Sequence, residues 1–237
     1  MVRHGQAGTR KAYDSLSDLG RRQARLLGEY FVSEKIHFAA AYAGSLVRQE
    51  ETAAEVRAVY REAGLCFPET AQEPDWNEFD LTDVYRALAP QLCAEDPEFA
   101  RDYQDLVEQA RAAAEHPEAS VNRRWLPCDV KVVEAWVRGR HPYDGESWQT
   151  FRARVIGCRG KLELVEREAN IVVFTSATPI GVWAALSMEI HDERAMRLAG
   201  VLHNASCTVL RLHGGQLRLH SFNAIPHLIE PGLRTYR

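Results

Sequence analysis

The stretch Ile171-Val172-Val173-Phe174-Thr175 restricts the fold more than any other part of the chain. A continuous β-branched and aromatic run of this length predicts a strand buried on both faces, the setting of a parallel sheet covered by helices. It ends in Ser176-Ala177-Thr178-Pro179. Proline suits a first helical position, so a helix is expected to follow through about Met188. The same order recurs earlier in the chain. An apolar run over residues 38–43 is closed by Gly44 and Ser45, a candidate N-cap, before a long helix over about residues 46–63 with Arg48 in its first turn. At the front, Val2-Arg3 is followed by a loop and by a helix over residues 21–32. Ser17 is its candidate N-cap, and Leu26, Leu27, Tyr30 and Phe31 form its apolar face.

Between residues 68 and 142 the texture changes to prolines, tryptophans and helical stretches. Helices are expected near residues 97–115, opened by Asp96-Pro97, and 129–138. A further helix, capped at Gly145-Glu146-Ser147, should run to about Arg167 with Trp148, Phe151, Val155, Leu162 and Val165 on one face. Residues 205–212 and 216–222 alternate apolar and polar around His213-Gly214-Gly215, which predicts a β-hairpin. The expected fold is therefore α/β: a three-layer sandwich with a mainly parallel sheet, an antiparallel C-terminal edge and a helical insertion. It is expected to form one domain over residues 1–237, with residues 68–142 as a helical cap insertion within it.

A formal charge of -4 and a pI near 6.2 provide no overall attraction to nucleic acid or to an anionic membrane. Any anion site must then be a local concentration of arginine. Five cysteines, Cys66, Cys93, Cys128, Cys158 and Cys207, lack C-x-x-C spacing and read as buried thiols in a reducing compartment. No apolar run is long enough to span a bilayer and no signal-peptide pattern opens the chain, so a cytoplasmic protein is expected.

Ligands of open α/β sheets sit beyond the carboxyl ends of the strands. By that rule Arg3 and His4 after the first strand, Arg48 after the second, and Ser176 with Thr178 after the 171–175 strand all reach one edge. A nucleophilic imidazole, two guanidinium groups and a helix N-terminus there form a phosphate pocket. In the run Asp75-Trp76-Asn77-Glu78-Phe79-Asp80, a carboxylate beside aromatic rings can serve as an acid; from composition alone the run reads equally well as an acidic loop with partly buried aromatics.

These residues resemble the histidine phosphatase superfamily, the phosphoglycerate-mutase-like group. The matching runs are Val2-Arg3-His4-Gly5-Gln6-Ala7, Leu16-Ser17-Asp18-Leu19-Gly20-Arg21-Arg22-Gln23-Ala24 and Ser45-Leu46-Val47-Arg48-Gln49-Glu50-Glu51-Thr52-Ala53. Asn77-Glu78-Phe79-Asp80, Asp144-Gly145-Glu146-Ser147 and Asn204-Ala205-Ser206 continue the match along the chain. The resemblance implies that His4 is phosphorylated, that Arg3 and Arg48 bind phosphoryl oxygens and that Glu78 donates the proton, with no metal or other cofactor. Ser176 stands where the family places a second histidine. Loss of a charge-assisted donor there would cost about 1.5 to 3 kcal/mol in the transition state, although a serine hydroxyl still hydrogen-bonds a phosphate oxygen. His141, His191 and His203 are candidates to replace it. Only Met1 and Val2 precede Arg3, a short strand by the family's pattern, from which a start assigned too far downstream or a shortened chain is expected.

The resulting expectation is a phosphomonoesterase with a phosphohistidine intermediate and reduced turnover. A protein that binds a phosphorylated ligand without turnover is the alternative, and a mutase-type phosphotransferase ranks below both. The expected partner is a phosphorylated small molecule, with no nucleic acid or membrane and with a homodimer left open. Trp76, Phe79, Tyr85, Trp125 and Trp136 are candidates to shape a leaving-group site.

Overall fold

The computed structural model describes residues 1–8, 14–114, 127–163, 165 and 169–236. Strands β1 (Val2–Arg3), β2 (Ala40–Ala43), β3 (Thr70–Gln72), β4 (Ile171–Thr175), β5 (Cys207–His213) and β6 (Gln216–Ala224) form one sheet in the order β3-β2-β4-β1-β5-β6. The pairs β3/β2, β2/β4 and β4/β1 are parallel, whereas β5 runs antiparallel to β1 and β6 antiparallel to β5. This is the α/β architecture expected from the sequence. One strand escaped that reading: β3, three residues with two exposed polar or small positions, lies inside the 68–142 stretch yet extends the main sheet beside β2.

Strand β4 shows why the sheet is covered on both faces. Val172 and Phe174 join a core with Leu27 and Phe31 of α1 (Asp18–Ser33) and Val56 and Tyr60 of α2 (Val47–Glu62). Val173 points the other way, into a core with Phe151 and Val155 of α6 (Trp148–Gly157) and Trp183 of α8 (Ala177–Ser187). Burial of each such side chain contributes about 1.5 to 3 kcal/mol, so the alternation fixes the register of the central strand.

The helix signals hold with shifts that matter locally. Ser17 caps α1 by accepting the Gly20 N–H at 3.0 Å, as expected. Ser45 does not cap α2: its N–H donates to Asn77 Oδ1 at 2.8 Å, and the first N–H of the helix, from Val47, goes to Asp14 Oδ2 at 3.1 Å. Helix α8 begins at Ala177, so Pro179 sits at its third position. It is still within the first turn, where a missing N–H breaks no helical bond. The helix expected to reach Arg167 stops at Gly157, and a one-turn α7 (Arg159–Leu162) follows; Arg167 lies outside the described residues.

Between β3 and β4 lie α3 (Leu81–Glu95), α4 (Pro97–Ala114) and α5 (Pro127–Arg138). Helix α3, not anticipated, is capped by Asp80, whose Oδ1 accepts the N–H groups of Thr82 and Asp83. Asp96 caps α4 as expected, accepting from Glu98 and Phe99. Trp76, Phe79 and Trp136 are buried in the core shared with Trp148, Phe151 and Trp183, and Tyr85 donates to Asp129 Oδ1 at 2.6 Å. These rings pack rather than line an open cleft; Trp125 lies outside the described residues. Helix α9 (Asp192–Gly200) completes the layer beside α8. The hairpin turns at Gly214 and Gly215, with φ of +57° and +77°, the left-handed pair that a two-residue turn requires. Among the described residues no helix is long and apolar enough to cross a membrane.

Candidate active site

The parallel register Val2↔Phe174 and Arg3↔Thr175 brings the carboxyl ends of β1 and β4 together. The His4 N–H donates to Thr175 O at 2.9 Å, and at the end of β2 the Gly44 N–H donates to Phe174 O at 3.1 Å. His4 O accepts from the Ala205 N–H at 3.1 Å and from Asn204 Nδ2 at 3.3 Å, while the Arg3 N–H donates to Ser206 O. The run Asn204-Ala205-Ser206 is thus a bracket for the backbone of Arg3 and His4. Ala205 takes φ of +55°, a left-handed conformation that costs a non-glycine residue about 1 kcal/mol.

Beyond His4 the chain lies backbone to backbone on the first turn of α1. A Cβ on Gly5 would stand 2.4 Å from Gly20 O, and one on Gly20 would stand 2.1 Å from Gln6 O, so both positions require glycine. The Gly5 N–H donates to Thr52 Oγ1 at 3.0 Å and the Gln6 N–H to Gln23 Oε1 at 2.9 Å.

The His4 ring is held at both nitrogens. Nδ1 lies 2.7 Å from Gly5 O, and since a carbonyl only accepts, the proton is assigned to Nδ1. Nε2 accepts from Arg48 Nε at 3.2 Å. Burial, and then the positive charges of Arg48 and Arg3, push the ring well below the usual histidine range, against a smaller opposing effect of the Gly5 carbonyl. The result is a buried neutral imidazole with its lone pair at Nε2. Arg48 Nη1 also pairs with Asp14 Oδ1, so one carboxylate binds both the first N–H of α2 and the guanidinium that touches His4. Arg3, also buried, donates from Nη1 to Leu202 O.

Glu78 Oε2 accepts the Thr178 N–H of α8 at 3.0 Å, and its Oε1 accepts the Phe79 N–H at 3.2 Å. Ser176 is 1% exposed, and its Oγ accepts from Gln49 Nε2 at 2.8 Å. His4 and Arg48 are therefore in direct contact, Ser176 touches the residue next to Arg48, and Glu78 is anchored two residues beyond Ser176. Arg3 is fastened toward Leu202. Of the candidate substitute histidines, His141 lies 3.5 Å from Glu95, and His191 precedes α9. His203 packs on Tyr236, the rings tilted by 35°, with its Nδ1 3.3 Å from Asn223 Oδ1; burial first, and then the charge of Arg3, lower its pKa.

Several residues that build the site had no role in the sequence reading: Asp14, Gln23, Gln49 and Thr52. Gln23, Gln49 and Thr52 share one signal, a polar side chain on the buried face of an otherwise amphipathic helix, where it must find a partner.

The chain matches the model of the histidine phosphatase superfamily (branch 1) over residues 1–128 and 126–225. Comparison with curated proteins gives no match. Among solved structures, a mycobacterial glucosyl-3-phosphoglycerate phosphatase with inorganic phosphate is 21% identical with a TM-score of 0.61, covering 96% of this chain and 97% of that one. The protein YhfR of Bacillus stearothermophilus is 17% identical with a TM-score of 0.61, over 96% and 98%. A phosphoserine phosphatase mutant of Entamoeba histolytica with phosphoserine is 15% identical with a TM-score of 0.56, over 96% and 97%. These similarities show a shared fold, and the family match spans both the His4 bracket and the C-terminal hairpin. The chain belongs to the histidine phosphatase superfamily, branch 1.

Proposed function

We propose that the chain is a phosphomonoesterase that acts in two steps through a phosphohistidine on His4. The observation that carries this reading is the buried neutral imidazole whose Nδ1–H is spent on Gly5 O and whose Nε2 faces the Arg48 guanidinium. An uncharged nucleophile that touches one guanidinium and lies within the field of a second suits a dianionic phosphoryl group. In the first step Nε2 attacks phosphorus, the bond to the leaving oxygen breaks, and protonated Glu78 supplies the proton to the departing alcohol. Arg48 shifts its Nε–H from the ring to a phosphoryl oxygen, where charge builds up. Arg3, the Ser176 hydroxyl and the N-terminus of α8 complete the set of donors. In the second step the Glu78 carboxylate takes a proton from water, the water oxygen attacks phosphorus, and the P–N bond breaks.

The substrate is a phosphorylated small molecule, the class to which phosphoserine in the Entamoeba histolytica structure belongs. Residues 1–237 act as one catalytic unit, with the helices of residues 68–142 as a cap, and the protein works in the cytoplasm. The test is rapid acid quenching with a radiolabelled aryl phosphate: label is expected on His4, and His4→Ala should abolish both label and turnover. Wild-type hydrolysis by His4→Ala would refute the reading.

A second reading has its own observation. Ser176, the residue at the position of the second family histidine, is buried with its hydroxyl on Gln49. A site lacking that charged donor can retain a phosphate ligand without turnover. Tight binding of inorganic phosphate with no label on His4 would favour this binding role. A mutase-type transfer ranks below both, since phosphoryl exchange would lack the same donor.

A further inference from the structure

The run Asp144-Gly145-Glu146-Ser147 ahead of α6 takes no part in the chemistry described above, yet its carboxylate is committed to one arginine. Arg154 donates from Nε to Glu146 Oε1 at 2.6 Å and from Nη2 to Oε2 at 2.9 Å, a two-pronged pair. Its Nη1 donates to two main-chain carbonyls, Asp75 O at 2.9 Å and Asn77 O at 3.0 Å. Glu78 is the next residue. We propose that Arg154, oriented by Glu146, is the positioning residue for the Glu78 carboxylate; this rests on the reading of Glu78 as the proton donor.

Contacts on either side of Glu78 converge on the same pair. The Arg154 guanidinium lies over the Phe151 ring, 4.7 Å from its centre, and the edge of Phe151 meets Phe79, the residue after Glu78, at 5.9 Å. Phe79 stacks on Trp136 at 4.4 Å, and the Trp136 indole N–H donates to Glu146 O at 2.9 Å. On the other flank the Asn77 side chain binds the N–H and the hydroxyl of Ser45, at the start of the segment that carries Arg48. The backbone before Glu78 is thus fixed by Arg154 and Asn77, and the backbone after it by rings tied to Glu146. Only a planar fork can serve a carboxylate and two carbonyls at once; a lysine ammonium at this site cannot. Arg154 does not contact His4 or Arg48, so it acts through the placement of Glu78.

A proton donor matters only when the leaving group needs a proton. Hydrolysis of an alkyl phosphate requires the acid, whereas dinitrophenolate departs unprotonated. Arg154→Met is therefore expected to lower kcat/KM, which reports the first step alone, for glycerol phosphate by about a hundredfold while leaving kcat/KM for dinitrophenyl phosphate within about threefold; the second step, in which Glu78 serves water for either substrate, does not enter this ratio. Glu146→Gln should show the same selectivity at smaller size, and it carries the test should Arg154→Met fail to fold by circular dichroism. Glu78→Gln is the reference variant. Equal losses on both substrates in folded Arg154 and Glu146 variants, or no loss, would overturn the inference while Glu78→Gln remained selective. If Glu78→Gln itself shows no selectivity, the proton-donor reading fails and the inference falls with it. Label on His4 reports separately on the nucleophile.

Discussion

His4 and Glu78, the two groups to which the proposed mechanism assigns the chemistry, are held by opposite means. His4 follows a strand of two residues, and backbone atoms on both sides fix it: Thr175 O, the Ala205 N–H and, for its ring, Gly5 O. Its chemistry is then tuned by what surrounds it, through burial and two arginines. Glu78 sits in a loop with no regular pairing, and side chains from distant parts of the chain hold its backbone, namely Asn77 to Ser45, Arg154 to residues 75 and 77, and Trp136 against Phe79. The proposed nucleophile thus depends on sheet topology, which tolerates change in the side chains around it, while the proposed acid depends on individual side chains, any one of which can be removed. A close-packed interior makes both arrangements rigid, but only the second can be loosened without disturbing the fold.

That contrast can be tested by substitution on each side. Arg48→Ala should have the largest effect, lowering kcat/KM about 100- to 1000-fold by removing a donor to the developing charge. It should also move the acid limb of the rate profile upward, since the Arg48 charge opposes protonation of His4. A limb that stays in place would mean that burial alone sets the state of the ring. His227 shows burial acting without an arginine: it is 8% exposed, packs near Tyr30, and burial, against a smaller opposing effect of the Ala205 backbone, pushes it down to about 4. An imidazole with a depressed folded-state pKa binds fewer protons folded than unfolded. Its contribution is therefore intact above about 6.5 and is lost as pH falls toward 4. The loss for His227 should approach about 3 kcal/mol, and urea titrations of His227→Gln should show a flatter dependence over that window. His4 acts in the same direction, so some acid sensitivity should persist in that variant.

Gly20→Ala tests the backbone contact beneath His4. With 2.1 Å from the added Cβ to Gln6 O, the loop must move, at about 1 to 3 kcal/mol of stability by thermal or urea unfolding. Activity should fall along with stability, because the moving loop begins at Gly5. Asn77→Ala should be the mildest, about 1 to 2 kcal/mol for two lost hydrogen bonds to Ser45. If the comparison holds, its effect on kcat/KM will be larger for alkyl than for aryl phosphates; equal effects would place Asn77 with the scaffold instead.

How much of this was legible in the sequence differs between the two sides for a physical reason. The run 171–175, the Ser17 cap and the glycine pair at the hairpin follow from rules that act over a few residues, and each appears as expected. The convergence of His4, Arg48 and Ser176 at one sheet edge follows from the parallel order of the strands. Helix α3 and strand β3 were missed. The first is opened by Asp80, a residue weighed only as part of an acidic run, and the second is too short to show alternation. The start of α2 was misread because Ser45 prefers Asn77, a partner 32 residues away that no local rule can supply.

The sequence by itself determined the layers, the strand-to-helix order, the place of His4 at a strand end and the identity of the charges around it, because periodicity and caps are local. Only the tertiary structure decided that the ring of His4 is neutral with its lone pair at Nε2, that Ser176 turns to Gln49, and that Arg154 holds the segment bearing Glu78. Those outcomes depend on which polar groups are buried beside which partners across the chain, and burial and partnership exist only once the chain is packed.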